Sequence, residues 1–339
     1  MKKLLNTLYV LSENTFLSLD GENVVVKTDE KETRLPFCII EEIVCFNYQG
    51  CSPRLMGKCA ENNVSLSFVS PNGRFLAKIV GETKGNVFTR TAQIKTFEDN
   101  NARLNLIRNS IGAKFCNMKF FVSRSIRDYP DINHDGSVTK LIDDINFYSK
   151  QLYEEEDVDI LRGIEGNISH IYFNLFDKFF RVDGFVFNGR SKRPPLDEIN
   201  SVLSLLYTMQ SNNIGSALEV AGIDPYIGFF HTLRSGRQSL ALDIIEEFRA
   251  IIDRFVVTVF NLKQFSKEDF DYQLGGTVFL NDVGRKKLIK LWQDKKKETI
   301  FHPYLGEKIP FGLLPFIQAS LFGKFLRKEI EEYPPYLVK

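Results

Sequence analysis

One histidine of the four in this 339-residue chain, His231 in "GFFHTLRSGRQSLALDIIEEF", closes an aromatic run and precedes a Gly-containing loop and a group of acids. A helix starting near Ser239 carries Asp243, Glu246 and Glu247. Asp243 and Glu246 are three apart and Asp243 and Glu247 four apart, so either pair can share one helix face. Like charges so placed cost roughly 0.2–0.5 kcal/mol on a solvated helix unless a cation compensates. Spacing alone therefore favours a solvated acidic face, with Ile244, Ile245 and Phe248 marking the buried side, and half of a metal site is the alternative.

A second acid stands out in "LRGIEGNISHIYFNLFDKFF". Leu161, Ile164, Ile168 and Ile171 line one helix face, Glu165 lies beside that face, and His170 is rotated away from Glu165. Taken alone, Glu165 reads as a rim residue, because acids are rarely buried without partners, and His170 as a surface or packing residue. In "DINHDGSVTKLI", Asp131, Asn133, Asp135 and Gly136 match the opening of a calcium-binding loop. The twelfth position is Ile142 rather than a bidentate acid, so a polar turn between two helices is expected there. No GxSxG elbow, Walker loop, HExxH or kinase set is present. The basic turn "NGRSKRPP" reads as a solvated loop that would suit phosphate contacts if it lies near the acids.

The elements that must position these residues fall into two textures. Up to about residue 80, short β-rich runs alternate with turn signals: "TLYVLS", "TFLSLD", "NVVVKT", "TRLPF", "IEEIVCF", "VSLSFV" and "RFLAKIV". Asp20-Gly21-Glu22 and Pro71-Asn72-Gly73 read as hairpin turns, and Ser52 followed by Pro53 starts a short helix. After Gly81 and Gly85 the period becomes helical, with helices from near Phe88 to Asp128 and at about 138–153, 157–180, 195–212, 215–221, 238–263, 282–298 and 309–332. The fold class is α+β: a β-rich domain over 1–84, then a larger all-α domain over 85–339, joined by a short hinge near 81–87.

A hydrophobic content of 43% over this length supports one large core or two modest ones. Cys38, Cys45, Cys51, Cys59 and Cys116 form no CxxC pair and read as reduced core thiols, which points to the cytoplasm. No apolar run approaches the roughly 18 residues of a membrane span, so a soluble chain is expected. The net charge of +1 neither suggests nor excludes a polyanion partner, since what matters is clustering on one face.

Taken together, "SLDGENVVV", "GCSPRLMGKCAENNVSLSFVSPNGRFLAKIVG", "RGIEGNISHIYF", "NGRSKRPPLDEINSVLSLLYTMQ", "ALEVAGIDPYIGFFH" and "GRQSLALDIIEEFR" resemble, in family order, the CRISPR-associated spacer-acquisition integrase and endonuclease. "SPRLMGKCAEN" with "GRFLA" is most similar to the subtype I-C variant. The resemblance implies an N-terminal β-sandwich used for dimerisation and a C-terminal α-helical catalytic domain. It implies Glu165, His231 and Glu246 as ligands of Mg²⁺ or Mn²⁺, with Asp243 as a supporting catalytic acid and Glu247 undecided. The implied partners are double-stranded DNA, both the incoming fragment and the repeat, a second copy of the chain, and a small ferredoxin-like adaptation subunit.

The implied reaction is attack of a fragment 3'-hydroxyl on a repeat-boundary phosphodiester. One phosphodiester replaces another, consistent with the missing nucleotide loop. Arg190, Lys192, Arg193, Arg234 and Arg237 flank the family motifs and are of the type that grips phosphates. Tyr207 and Asn200 line the site or simply pack. Two alternatives stay open: a structure-specific nuclease acting on branched DNA, and a catalytically silent DNA-binding scaffold.

Overall fold

In the computed structural model, residues 6–12, 14–46, 49–70, 75–79, 81 and 87–338 are described. Two compact units divide the chain. The first comprises Met1–Gly85, Arg285–Glu298 and Pro310–Leu314, and the second Asn86–Gly284, Thr299–Ile309 and Pro315–Lys339.

The first unit contains β1 (Thr7–Val10), β2 (Phe16–Asp20), β3 (Asn23–Lys27), β4 (Glu32–Pro36), β5 (Glu42–Cys45), α1 (Pro53–Glu61), β6 (Ser65–Val69) and β7 (Phe75–Ile79). β2, β3 and β4 form an antiparallel meander, and the other four strands form a second sheet in the order β1-β5-β6-β7. Asp20 pairs with Asn23 around Gly21, whose φ of 56° suits the tight hairpin read from the sequence. β5 and β6 run parallel, which requires a crossover, and α1 supplies it. Its start is the expected one: the Ser52 side chain accepts from Leu55 N and Pro53 follows directly.

Leu17 and Val24 of the meander, Ile43, Cys45 and Leu66 of the other sheet, and Leu55 and Cys59 of α1 share one core, as the sandwich-like expectation requires. The turn expected at Pro71-Asn72-Gly73 lies outside the described residues, as does the hinge expected near 81–87 apart from its two ends.

The second unit is mostly helical. It contains α2 (Val87–Glu98), α3 (Asn100–Asp128), α4 (Ser137–Glu154), α5 (Val158–Asn174), α6 (Glu198–Val220), α7 (Ser239–Ile244) and α8 (Arg249–Asn261). β8 (Phe270–Tyr272) and β9 (Val278–Leu280) form a short hairpin before α9 (Asp282–Lys297). A second hairpin, β10 (Thr299–His302) with β11 (Glu307–Pro310), precedes α10 (Leu314–Leu326), so the helical part carries strands beyond an all-α reading.

Aspartates open three of the helices that matter below. Asp99 accepts from Asn101 N and Ala102 N at the start of α3, Asp157 from Asp159 N and Ile160 N at α5, and Asp197 from Asn200 N at α6.

Boundaries differ from the sequence pattern in several places: α5 ends at Asn174 rather than near 180, and α10 spans Leu314–Leu326 rather than 309–332. Residues expected as two helices around 213–214 form the single helix α6. Gly215 lies inside it, and the side chain of Gln238 occupies the space a Cβ there would need. The helix expected over 238–263 is broken by a 3-10 turn at Ile245–Phe248, which turns successive acids toward different partners. Finally, 285–298 belongs to the first unit although it follows the helical stretch in sequence. Leu288, Ile289 and Trp292 are buried there, and the Lys296 ammonium hydrogen-bonds the Tyr9 hydroxyl close to Glu42.

The cysteines divide by exposure. Cys45, Cys51 and Cys59 are buried and Cys38 and Cys116 exposed. Burial pushes the Cys45 and Cys59 thiols up to about 12 and Cys51 up to about 11. Alkylation of the folded chain at pH 8 with iodoacetamide should therefore label Cys38 and Cys116 and spare the other three until denaturant is added, as read by peptide mass mapping.

Candidate active site

The histidine lies in a loop whose backbone is held from four helices. Asp243 on α7 is fully buried, and its carboxylate accepts from Phe229 N at 2.6 Å, Phe230 N at 3.1 Å and His231 N at 2.8 Å. The carbonyls are held from the other side. Arg103 Nε on α3 donates to Phe229 O at 2.8 Å, and Arg162 on α5 donates to Phe230 O at 2.8 Å through its terminal nitrogen. Gln93 on α2 fixes the preceding turn by donating to Asp224 O and Ile227 O and accepting from Asp224 N.

Asp243 also orients the imidazole, because His231 Nδ1 lies 2.7 Å from Asp243 Oδ1. A carboxylate oxygen accepts, so Nδ1 donates and Nε2 is the nitrogen left to face a ligand. Both pairings expected for a solvated acidic face are thus overturned. Asp243 is buried because the backbone amides of 229–231 take its oxygens.

Glu165 and Glu246 meet around a single cation. Lys114, on α3 and almost fully buried, donates to Glu165 Oε1, lies 2.9 Å from Glu246 Oε2 and donates to Ser169 Oγ at 2.9 Å. Ser169, one turn after Glu165 on α5, in turn donates to Glu165 Oε1 at 2.7 Å. Arg249 Nε, at the start of α8, bonds Glu246 Oε2 at 2.8 Å. Burial alone would raise Glu246, but Arg249, Lys114 and His231 hold it well below the usual carboxylate range. Glu165 follows the same pattern: the Lys114 charge overrides burial and holds its carboxyl below the ordinary value. Two ionised carboxylates therefore meet at Lys114, and His231 is near enough to Glu246 to act on its charge.

Around them is a stack of cations on an aromatic ring. The Arg190 and Arg249 guanidinium carbons lie 5.4 and 5.0 Å from the Tyr207 ring centroid. The Tyr207 hydroxyl donates to Asp253 Oδ1, and Tyr172 donates to Asp253 Oδ2 at 3.0 Å. Burial pushes Asp253 up to about 6, against the pull of those two hydroxyls. Tyr207 is thus fixed at both its hydroxyl and its faces.

The basic residues expected to grip phosphate separate into two groups. Arg190 donates to Ser191 O at 2.5 Å, Asn200 Oδ1 at 2.7 Å and Ser204 Oγ at 3.2 Å, so it shapes its own loop. Asn200 closes that loop by donating to Gly189 O at 2.8 Å. Lys192 is exposed on the same loop, yet loss of hydration and the charges of Arg249, Arg190 and Lys114 hold its ammonium below the usual range. Arg193 and Arg234 are exposed and Arg237 half-buried, and among the described residues none of the three makes an ion pair.

Glu247, adjacent to Glu246, belongs elsewhere. Its carboxylate accepts from Tyr333 Oη at 2.6 Å, Tyr336 N at 2.8 Å and Gln318 Nε2 at 2.8 Å, and burial raises it to about 7. His170 is exposed and lies 3.0 Å from Asn174 Nδ2, away from the site as its helix position implies. The calcium-like loop is a polar turn, with Asp131 paired to Arg181 at 2.7 Å and Asp135 to Lys178 at 2.5 Å.

Among the described residues no three of His, Cys, Asp and Glu are grouped as an ion's ligands, and the Lys114 ammonium bridges the two glutamates. The donor chemistry nevertheless fits a hard divalent cation. Glu165 and Glu246 offer ionised oxygens already drawn to one positive charge, and His231 offers Nε2 with Nδ1 committed to Asp243.

Lys114 and Arg249 were not singled out from the sequence. A signal for Lys114 exists: it falls on the apolar stripe of Ile107, Ile111, Met118 and Phe121 on α3, where a lysine needs a partner.

Gly228 supports the whole arrangement, since an added Cβ would stand 2.5 Å from Asp243 Oδ2 and 2.7 Å from the Ser239 carbonyl carbon. Gly228→Ala should cost about 1–3 kcal/mol, read as a fall in Tm, because the neighbours it meets are backbone and a fully bonded carboxylate.

Comparison with known proteins gives a consistent result. Residues 8–294 match the family described as CRISPR associated protein Cas1. The CRISPR-associated endonuclease Cas1 1 of Chlorobaculum tepidum is 40% identical over 341 residues, covering 99% of each chain. Among solved structures, a casposase bound to integration product superposes with a TM-score of 0.86 at 22% identity, covering 98% of this chain and 94% of that one. A chain of a Cas6-RT-Cas1–Cas2 complex superposes with a TM-score of 0.83 at 17% identity, over 100% of this chain and 36% of that one. At these identities the structural likeness is one of fold. The family match over most of the chain, together with a full-length relative at 40% identity, means that this chain belongs to the Cas1 family of CRISPR-associated proteins.

Proposed function

We propose that this chain is a metal-dependent DNA integrase and endonuclease that inserts new spacers into a CRISPR array. The observation that carries the reading is the convergence of Glu165 and Glu246 on one cation position, with His231 near Glu246 and its Nδ1 taken by Asp243. Family membership and the fold shared with a casposase bound to integration product support the same reading. The chain is a subtype I-C member that acts in the cytoplasm, with a homodimer as the working unit. The second partner is the small ferredoxin-like adaptation subunit, consistent with the fold shared with a Cas1–Cas2 assembly.

Glu165, His231 and Glu246 would hold Mg²⁺ or Mn²⁺. When bound, the ion supplies Lewis acidity toward a phosphate oxygen and stabilises charge on the leaving oxygen. The chain's own residues do the rest. Asp243 fixes the tautomer and tilt of His231. Arg249, locked between Glu246 and the Tyr207 ring, presents fixed positive charge beside the site. Lys192, Arg193, Arg234 and Arg237 would contact the DNA backbone, while Arg190 holds the loop that carries Lys192. The reaction exchanges one phosphodiester for another as a fragment 3'-hydroxyl attacks a repeat boundary, so no nucleotide triphosphate is consumed.

The test is strand joining. With the partner subunit and Mn²⁺, the chain should join a short duplex bearing free 3'-hydroxyls to a repeat-containing plasmid. Glu165→Ala and His231→Ala should each lower joining by about 100-fold or more. Joining at wild-type rates by either variant would overturn the assignment. Cleavage of branched junctions without any strand joining would replace integration by a structure-specific nuclease.

A further inference from the structure

Lys114 has a position that the proposed chemistry leaves unexplained. A lysine ammonium has three protons, and here they face three acceptors: Glu165 Oε1, Glu246 Oε2 at 2.9 Å and Ser169 Oγ at 2.9 Å. The side chain is 5% exposed, so the charge is not a surface lysine that happens to lie near two acids. Of the two cations that touch Glu246, Lys114 is the one that also hydrogen-bonds Glu165, whereas Arg249 bonds Glu246 and rests on Tyr207. Lys114 therefore links the carboxylates of α5 and of the turn after α7, two segments far apart in sequence.

We propose that Lys114 is a built-in counter-ion, which holds Glu165 and Glu246 together until a divalent cation takes its place, so that loading the ion is an exchange of one cation for another. This rests on the metal reading above. Two positive charges cannot share the space between the same two oxygens. An ion entering between Glu165 and Glu246 must displace the ammonium, and the four-carbon stem of lysine, anchored in the middle of α3, lets the head swing while the helix stays in place.

Two consequences follow. The ion-free protein keeps its acids paired, so the site does not open by self-repulsion. Divalent-ion affinity is set below what the donors alone would give, because the ammonium must be displaced first, and a cation of single charge gains little over the lysine it replaces.

The experiment measures Mn²⁺ binding to the full chain, without DNA, for the wild type, Lys114→Met and Lys114→Gln. Free Mn²⁺ is followed by electron paramagnetic resonance, and Tm is recorded with and without the ion. Both variants should bind Mn²⁺ roughly tenfold tighter than wild type, have a lower Tm without the ion, and gain more Tm when Mn²⁺ is added. A Lys114→Met chain that folds only once Mn²⁺ is present gives the same support.

Wild-type binding with both variants equal to it or weaker would overturn the exchange and leave the metal reading intact. Failure of Lys114→Met to fold in Mn²⁺, with Lys114→Gln binding like wild type, would also overturn it. Absence of Mn²⁺ binding in all three chains would remove the metal reading itself, and the exchange with it.

Discussion

Two carboxylates brought side by side in a buried site demand positive charge between them, and much of the second unit is arranged to meet that demand. Glu165 and Glu246 are answered by Lys114 and Arg249. Arg249 is steadied by Tyr207, Tyr207 by Asp253, and Asp253 by Tyr172, so a chain of buried polar contacts runs from α8 through α6 to α5. Withdrawing one charge from such a set leaves another buried and unpaired, at a cost of about 3–5 kcal/mol. The same constraint that makes the site expensive to build keeps its acids ionised and ready for a cation.

The second framework is made of backbone amides rather than charges. Asp243 gathers three successive N–H groups, and Arg103, Arg162 and Gln93 hold carbonyls of the same loop. His231 therefore sits on a segment with little freedom, although it lies outside any helix or strand. The 3-10 turn at Ile245–Phe248 then divides the labour among neighbouring acids. Asp243 serves the loop, Glu246 the cations, and Glu247 the C-terminal segment through Tyr333, Tyr336 and Gln318.

How much of this was legible in the sequence depended on whether the signal was local. Turn residues at Asp20-Gly21, the Ser52 cap with Pro53, and the change from strand to helical period near residue 87 all state their conformation within a few positions, and the structure follows them. Helix interruptions were harder, because Gly215 sits inside a helix at a point where Gln238, from another part of the chain, takes the space a Cβ would need. The site was the least legible from periodicity. Helical spacing put Asp243 and its neighbours on a solvated face and Glu165 on a rim, since nothing local announces that amides from 229–231 or an ammonium from α3 will meet them. The family motifs supplied that information, and they pointed to Glu165, His231, Asp243 and Glu246, which the structure gathers in one region. They did not point to Lys114 or to Arg249, whose roles appear only once α3, α5 and α8 are packed together.

The central claim is that Glu165, His231 and Glu246 form one cation site. The most direct test is a crystal structure of the chain grown in Mn²⁺, with an anomalous difference map recorded near the manganese edge. The account predicts a single strong peak bonded to oxygens of Glu165 and Glu246 and to Nε2 of His231, with the Lys114 ammonium moved out from between the two acids. A fully occupied Mn²⁺ peak elsewhere, with Lys114 still clamped between Glu165 and Glu246, would contradict it.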